Sequence, residues 1–310
     1  MKINLSIQKT TYLKGLAILL ILLSHTKIIK YGGLIGVGLF LTLSGYGMYE
    51  SYTKNGLNNY FKKRISKVLI PYWIFNILWI IIDYIKGTTY SLKTIIFSFL
   101  TYKNIIDITM WYISYLLVWY ILFYLIFKFK NKYIQFISFI LSIPISLFLS
   151  VKGIFGIGGG AHFYVLMFPL GIVLCYIFKN YKNLLEKYLT PILSASIFIF
   201  LFIYNNSFNI TLSYIETVLM LISIVLILTL GISLLNESNK HSIIMIYGKY
   251  SYFIYLIEGV LLNKYNFLKQ IISNNYLYTF VFVILTLILA IPLNKLYDKL
   301  FNKKQKKSSI

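Results

Sequence analysis

The chain has 310 residues, of which 59% are hydrophobic, 18% aromatic and only 12% charged, with a mean hydropathy of +0.76. A soluble domain carries roughly 25% charged residues, and the apolar content here exceeds what one globular core buries, so lipid is the expected solvent. The net charge of +22 does not mark a nucleic-acid binder. The lysines stand in short clusters between apolar runs, where they set membrane orientation and meet anionic head groups.

The first apolar run, from Leu13 to Leu23, has a basic flank but is followed by His25, Lys27 and Lys30 and no small-residue cleavage site, so it reads as a retained helix over 13–29 and not as a signal peptide. Further runs follow at 34–49, 68–85, 111–127, 133–151, 163–178, 189–204, 215–235, 250–262 and 276–293. A spanning helix needs ~20 mostly apolar residues, which makes this an all-α, polytopic bundle of about ten transmembrane helices. The run at 250–262 is short, and its helix is expected to reach back to Ile243. The apolar stretch 92–102 is too short to span and is expected to lie in the interface or to re-enter. With the N-terminus inside, 22 of the 30 basic residues fall on inner segments, loop after loop, as the positive-inside rule requires. Both termini are therefore expected in the cytoplasm, with a short basic tail over 296–310.

One membrane domain over 1–310 is expected, because no internal repeat or linker breaks the pattern. The GIGGG run at 156–160 lacks the Lys-Ser/Thr of a phosphate loop. Cys175 stands alone in an apolar run, where it forms neither an internal disulfide nor a metal site and reads as a small buried hydrophobe. No metal is expected.

An ionisable group inside a membrane helix costs about 2.5–3.5 kcal/mol, which makes each one a functional candidate. They are Lys14, His25, Glu50, Arg64, Lys67, Asp83, His162, Glu216 and Glu258. Lys14 and His25 fall about 20° from a whole number of turns apart and ~16 Å along the axis, so they share one helix face. A histidine there can act as a general base near neutral pH. The pair also reads as an interfacial ring and a snorkelling amine. Gly36, Gly38, Ser44 and Gly45 are small enough to let helices approach closely. Lys54, Lys62, Lys63, Arg64 and Lys67 gather at the inner mouth of the third helix. They serve topology and lipid binding, or they hold an anionic cytosolic ligand such as the phosphates of coenzyme A. Arg64, the only arginine, suits bidentate phosphate contact. Asp83 and His241 are expected to be solvated, Glu50 to pair with a nearby lysine, and Glu216 to favour the start of its helix.

Five blocks carry a resemblance. They are KGLAILLILLSH from Lys14, GVGLFLTLSGYGMY from Gly36, YFKKRISKVLIPYW from Tyr60, MWYISYLLVWYILFY from Met110 and YGKYSYFIYLIEG from Tyr247. In this order they resemble the acyltransferase 3 family of membrane acyltransferases, and the similarity extends from Lys14 to near Leu293. The resemblance implies a similar multi-helix bundle in a bacterial cytoplasmic membrane. It implies transfer of an acyl group, acetyl first, from cytosolic acyl-CoA as co-substrate to a hydroxyl. The acceptor would be a cell-surface glycan or its lipid-linked precursor. The expected partners are membrane lipid, acyl-CoA and that acceptor, with no nucleic acid.

The same resemblance places His25 at the family's catalytic histidine on the first helix. Lys14 falls where Arg is usual, which keeps the charge but loses the planar fork. Arg64 and Lys67 lie in the basic stretch before Pro71, and with Lys14 they are the expected acyl-CoA phosphate contacts. Glu258 stands where many members have a second histidine, and is the second catalytic candidate. Ser44, Tyr46, Trp111 and Tyr112 are candidates for substrate and oxyanion contact. His162 either joins Glu258 at the cavity or is solvated at the interface. The rival reading, a transporter or flippase of a lipid-linked glycan, needs polar residues lining a path through several helices. The ionisable groups here cluster instead on the first and third helices and at helix ends.

Overall fold

The computed structural model describes residues 3–158, 160–207, 212–235 and 242–302. It is 82% helical, with no strand among the described residues. The helices are α1 (Ile7–His25), α2 (Gly32–Asn55), α3 (Tyr60–Arg64), α4 (Ile70–Ile85), α5 (Leu92–Phe99), α6 (Trp111–Phe127) and α7 (Lys132–Val151), then α8 (Met167–Asn180), α9 (Lys182–Asn206), α10 (Tyr214–Leu234), α11 (Ile243–Asn263), α12 (Phe267–Ile271) and α13 (Asn275–Tyr297). A π-turn at Ile65–Leu69 joins α3 to α4 as one rod. Nine helices of the described residues are long and apolar enough to cross a membrane. α11 has the length, at 21 residues, but carries Lys249, Glu258 and four tyrosines. Tyr247, Tyr250, Tyr255 and Glu258 are all buried, so this helix is surrounded by protein and does not need a lipid-compatible face. α5, eight residues long, cannot span, as its sequence indicates. His241 and residues 303–310 lie outside the described residues.

The helices overrun the apolar stretches because hydropathy sees only the lipid-facing length, whereas caps decide where a helix ends. α1 starts at Ile7, where the Ser6 hydroxyl accepts from the Lys9 amide. Lys9 is itself buried, its Nζ donating to Asn4 Oδ1 at 2.6 Å and to the Ser233 carbonyl at 2.8 Å. α10 opens on a full capping box between Ser213 and Glu216.

Cα packing divides the chain into two compact units. Unit 1 comprises Met1–Gly56, Phe136–Leu147 and His162–Lys249. Its helices meet backbone to backbone at glycines. A methyl on Gly36 would sit 2.4 Å from the Ala17 carbonyl oxygen, one on Gly45 2.1 Å from that of Phe168, and one on Gly171 1.9 Å from that of Thr42. The small residues of α2 thus serve close helix approach. Gly45→Ala is expected to lower stability by about 1–3 kcal/mol, since backbone must move to admit the methyl. Gly47→Ala, with nothing within 4 Å of the added methyl, is the control. Melting of both variants in lipid nanodiscs checks the difference, and equal melting temperatures would contradict it. In the same unit Glu50 pairs with Lys54 at 2.7 Å and Lys179 at 2.9 Å. Buried Cys175 donates to the same carboxylate at 3.5 Å.

Unit 2 comprises Leu57–Gln135, Phe148–Ala161 and Tyr250–Ile310, and is laced by tyrosine hydroxyls. The π-turn breaks the i to i−4 ladder, and its carbonyls take outside donors. Tyr252 donates to the Val68 carbonyl at 2.7 Å and Tyr297 to that of Ser66. Asp83 corrects the sequence expectation of a solvated carboxylate. It is 5% exposed, 2.9 Å from Lys264 Nζ, and accepts from the hydroxyls of Tyr90 and Tyr265. Lys264 and Tyr265 lie 181 and 182 residues from Asp83 in sequence, so nothing local announces the ion pair.

Candidate functional site

In unit 1, His25 is the last residue of α1 and its side chain is exposed. The helix stops there because Lys27 takes a left-handed conformation, with φ of 63°. The Thr26 and Lys27 amides then turn back to the Leu22 and Ser24 carbonyls. The helix was expected to run on to residue 29, so His25 stands at its tip and not within it. Lys14, three turns earlier, is also exposed, on the face that the spacing gives. Ser44 and Tyr46 are half-buried on α2, with the Tyr46 ring edge-on to Phe178 at 6.2 Å. His162 lies in a short turn, Ala161–Tyr164, ahead of α8. Its ring stacks on Tyr214 at 5.7 Å, and its carbonyl accepts from the Tyr214 hydroxyl at 3.1 Å.

In unit 2, the basic segment lies on the α3–π-turn–α4 rod. Lys62 and Lys67 are exposed and Lys63 and Arg64 half-buried. The Arg64 guanidinium lies over the rings of Tyr60 at 5.8 Å and Tyr120 at 5.5 Å, a cation–π setting that fixes its plane. Tyr60 is pinned in turn, its hydroxyl donating to the Tyr120 carbonyl at 2.8 Å. Arg64 Nε has no hydrogen-bond partner among the described residues. The residues present therefore suit a phosphate-bearing ligand, with one oriented guanidinium and exposed amines around it.

Trp111 opens α6 half-buried, and Tyr112 is buried beside it, its ring edge-on to Tyr255 at 5.6 Å. Glu258 is 0% exposed, one turn after Tyr255 on α11 and on the same face. Unit 2 thus brings Tyr112 and Glu258 to one place, around Tyr255.

The acyltransferase-domain family model Acyl_transf_3 matches residues 8–295. The chain belongs to the acyltransferase 3 family. It is a multi-pass membrane acyltransferase by that membership and by its apolar helices. The match takes in each candidate named above, from Lys14 to Glu258. No curated protein and no solved structure matches the chain.

One residue of this acyltransferase escaped the sequence reading. Asp107, just ahead of α6, is 4% exposed. Its Oδ1 accepts from both the amide and the hydroxyl of Thr109, at 2.9 and 2.7 Å. Asp107 is one of only eight acidic residues and directly precedes a membrane helix. That position was the available signal, but the hydropathy window began at Trp111.

Proposed function

We propose that this protein transfers an acyl group, acetyl first, from cytosolic acyl-CoA to a hydroxyl of a cell-surface glycan or its lipid-linked precursor. It does so in a bacterial cytoplasmic membrane with both termini on the cytosolic side. The observation that carries this reading is the family match over residues 8–295. The exposed imidazole at the tip of α1 supports it. In this reaction His25 takes the proton of the acceptor hydroxyl as that oxygen attacks the thioester carbonyl. The new C–O bond forms, the C–S bond breaks, and the coenzyme A thiolate leaves and recovers the proton from the imidazolium. Lys14 adds positive charge on the face of His25. Arg64 and Lys67 hold donor phosphates. Ser44, Tyr46, Trp111, Tyr112 and His162 contact the substrates, and Glu258 is a second proton-handling group.

The test is to reconstitute the protein in membranes carrying its native glycan pathway, supply acyl-CoA labelled in the acyl group, and follow label into glycan. Transfer of acyl label to glycan hydroxyls, abolished without the protein, is the expected result. Glycan that is never acylated but whose export requires the protein would replace this reading with a flippase. Arg64→Lys is expected to raise KM for acyl-CoA about tenfold with kcat little changed. The variant loses the planar fork and the ring stacking, together worth about 1.4 kcal/mol. An unchanged KM would remove Arg64 from donor binding.

A further inference from the structure

In unit 1, α8 and α9 are joined by Tyr181 alone. The two helices therefore meet at this hairpin, but α9 then packs chiefly on α10, and a wedge is left open between α8 and α9. It is a groove of about 650 Å³ with an almost wholly apolar lining. Ile177 of α8 and Tyr181 line it, with Leu184, Tyr188, Pro191 and Ala195 of α9. The last four recur at i, i+4, i+7 and i+11, one face of a helix, and cover ~16 Å along its axis. That is half of the ~30 Å hydrocarbon core, the depth of one leaflet. Tyr181, Leu184 and Tyr188 are exposed, as are Pro191 and Ala195, so the groove opens outward and not into the core of the unit.

Aromatic rings and charge mark its mouth. The Tyr181 ring lies 5.7 Å from that of Tyr176, which lies 6.3 Å from that of Tyr49. Tyrosines gather in this way at head-group level. The same end of the unit carries Lys179, Lys182 and Lys187. Lys179 is engaged, 2.9 Å from Glu50. Lys182 is held only loosely, 3.9 Å from Glu186. Lys187 lies over the Tyr188 ring at 5.4 Å and pairs with no carboxylate among the described residues. Pro191 adds a third feature. It has no N–H, so the α-helical ladder brings no donor to the Lys187 carbonyl four residues earlier.

We propose that this groove seats one anionic phospholipid from the leaflet at the hairpin. An acyl chain lies along α9 from Leu184 to Ala195, and the phosphate meets the ammonium groups of Lys182 and Lys187. A head group that bears a hydroxyl can donate to the Lys187 carbonyl. Charge complementarity chooses this occupant. A zwitterionic lipid brings no net charge to the two amines. A second copy seated by a two-fold axis would set this hairpin's lysines against their equivalents, like charge on like. The inference goes beyond the acyl-transfer reading and stands without it.

The test is native mass spectrometry of the full chain released from nanodiscs of phosphatidylcholine with a rising fraction of phosphatidylglycerol. Wild type is expected to retain one phosphatidylglycerol per chain and no phosphatidylcholine. Lys187→Ala should raise the phosphatidylglycerol fraction needed for half occupancy about fivefold, the worth of one lysine beside an anionic surface. Ala195→Phe fills the groove, leaves the lysines in place and should abolish the adduct. Ser194→Phe, as exposed on α9 but outside the groove, should keep it. The filling variant and the charge variant test the site separately, so one that fails to fold leaves the other to decide. Both lipids retained alike, no adduct on wild type, or an adduct that survives Ala195→Phe would each overturn the site. A dimer that Ala195→Phe abolishes would also overturn it, and would give the groove to a second copy of the chain.

Discussion

Replacing His25 with alanine is expected to lower acyl transfer by about 10²–10⁴-fold, the usual worth of a positioned general base. The argument rests on where α1 ends. A histidine in mid-helix would have to be paired or neutral to tolerate lipid. This one is the terminal residue of α1 and exposed, so the imidazole is open to a substrate from outside the helix. The measurement is acyl label per unit of folded protein, with His25→Ala beside His25→Gln. Glutamine keeps much of the ring's size and a hydrogen-bonding head but cannot accept the proton. Equal loss in both variants identifies proton transfer as the role. Activity retained by His25→Gln would reduce His25 to a binding contact, and activity retained by both would move the base elsewhere.

Hydropathy and charge were sufficient to place the helices, because each spanning segment must be apolar along its length while its ends carry the lysines. They failed in two informative ways. Hydropathy starts the third helix at residue 68 and excludes the charged KKR segment at 62–64, yet lysine and arginine are good helix formers and α3 continues through the π-turn into α4. α11 looked short because its Tyr-, Lys- and Glu-bearing turns lower the hydropathy of a helix that protein, not lipid, surrounds. The candidate site was legible where one helix sufficed, as for Lys14 and His25, whose shared face follows from spacing alone. Whatever depended on distant residues meeting was not legible. Nothing near Asp83 in sequence foretells Lys264 and Tyr265. Nothing near Thr109 foretells that Gly259 lets α11 close against it.

Lys264→Ala should destabilise the protein by about 3 kcal/mol, the lower end of the cost of breaking a buried ion pair. Asp83 is 5% exposed, and without the amine at 2.9 Å its charge would be answered only by two tyrosine hydroxyls. The lysine side chain is 26% exposed, so water can enter in its place, which is why the lower end applies. Asp83→Asn should cost about 1 kcal/mol, since the amide has no charge to strand and its oxygen still accepts a tyrosine hydroxyl. The double variant Asp83→Asn/Lys264→Ala should then be no worse than Lys264→Ala alone, because the stranded charge is gone. Unfolding free energies of the four proteins in the same lipid give the coupling directly. A coupling under about 0.5 kcal/mol would class the pair with surface ion pairs. Holding the end of α4 would then fall to Tyr90 and Tyr265. A coupling of 2 kcal/mol or more, on the scale of buried pairs, would make the ion pair the clasp that fixes the turn after α11 against α4.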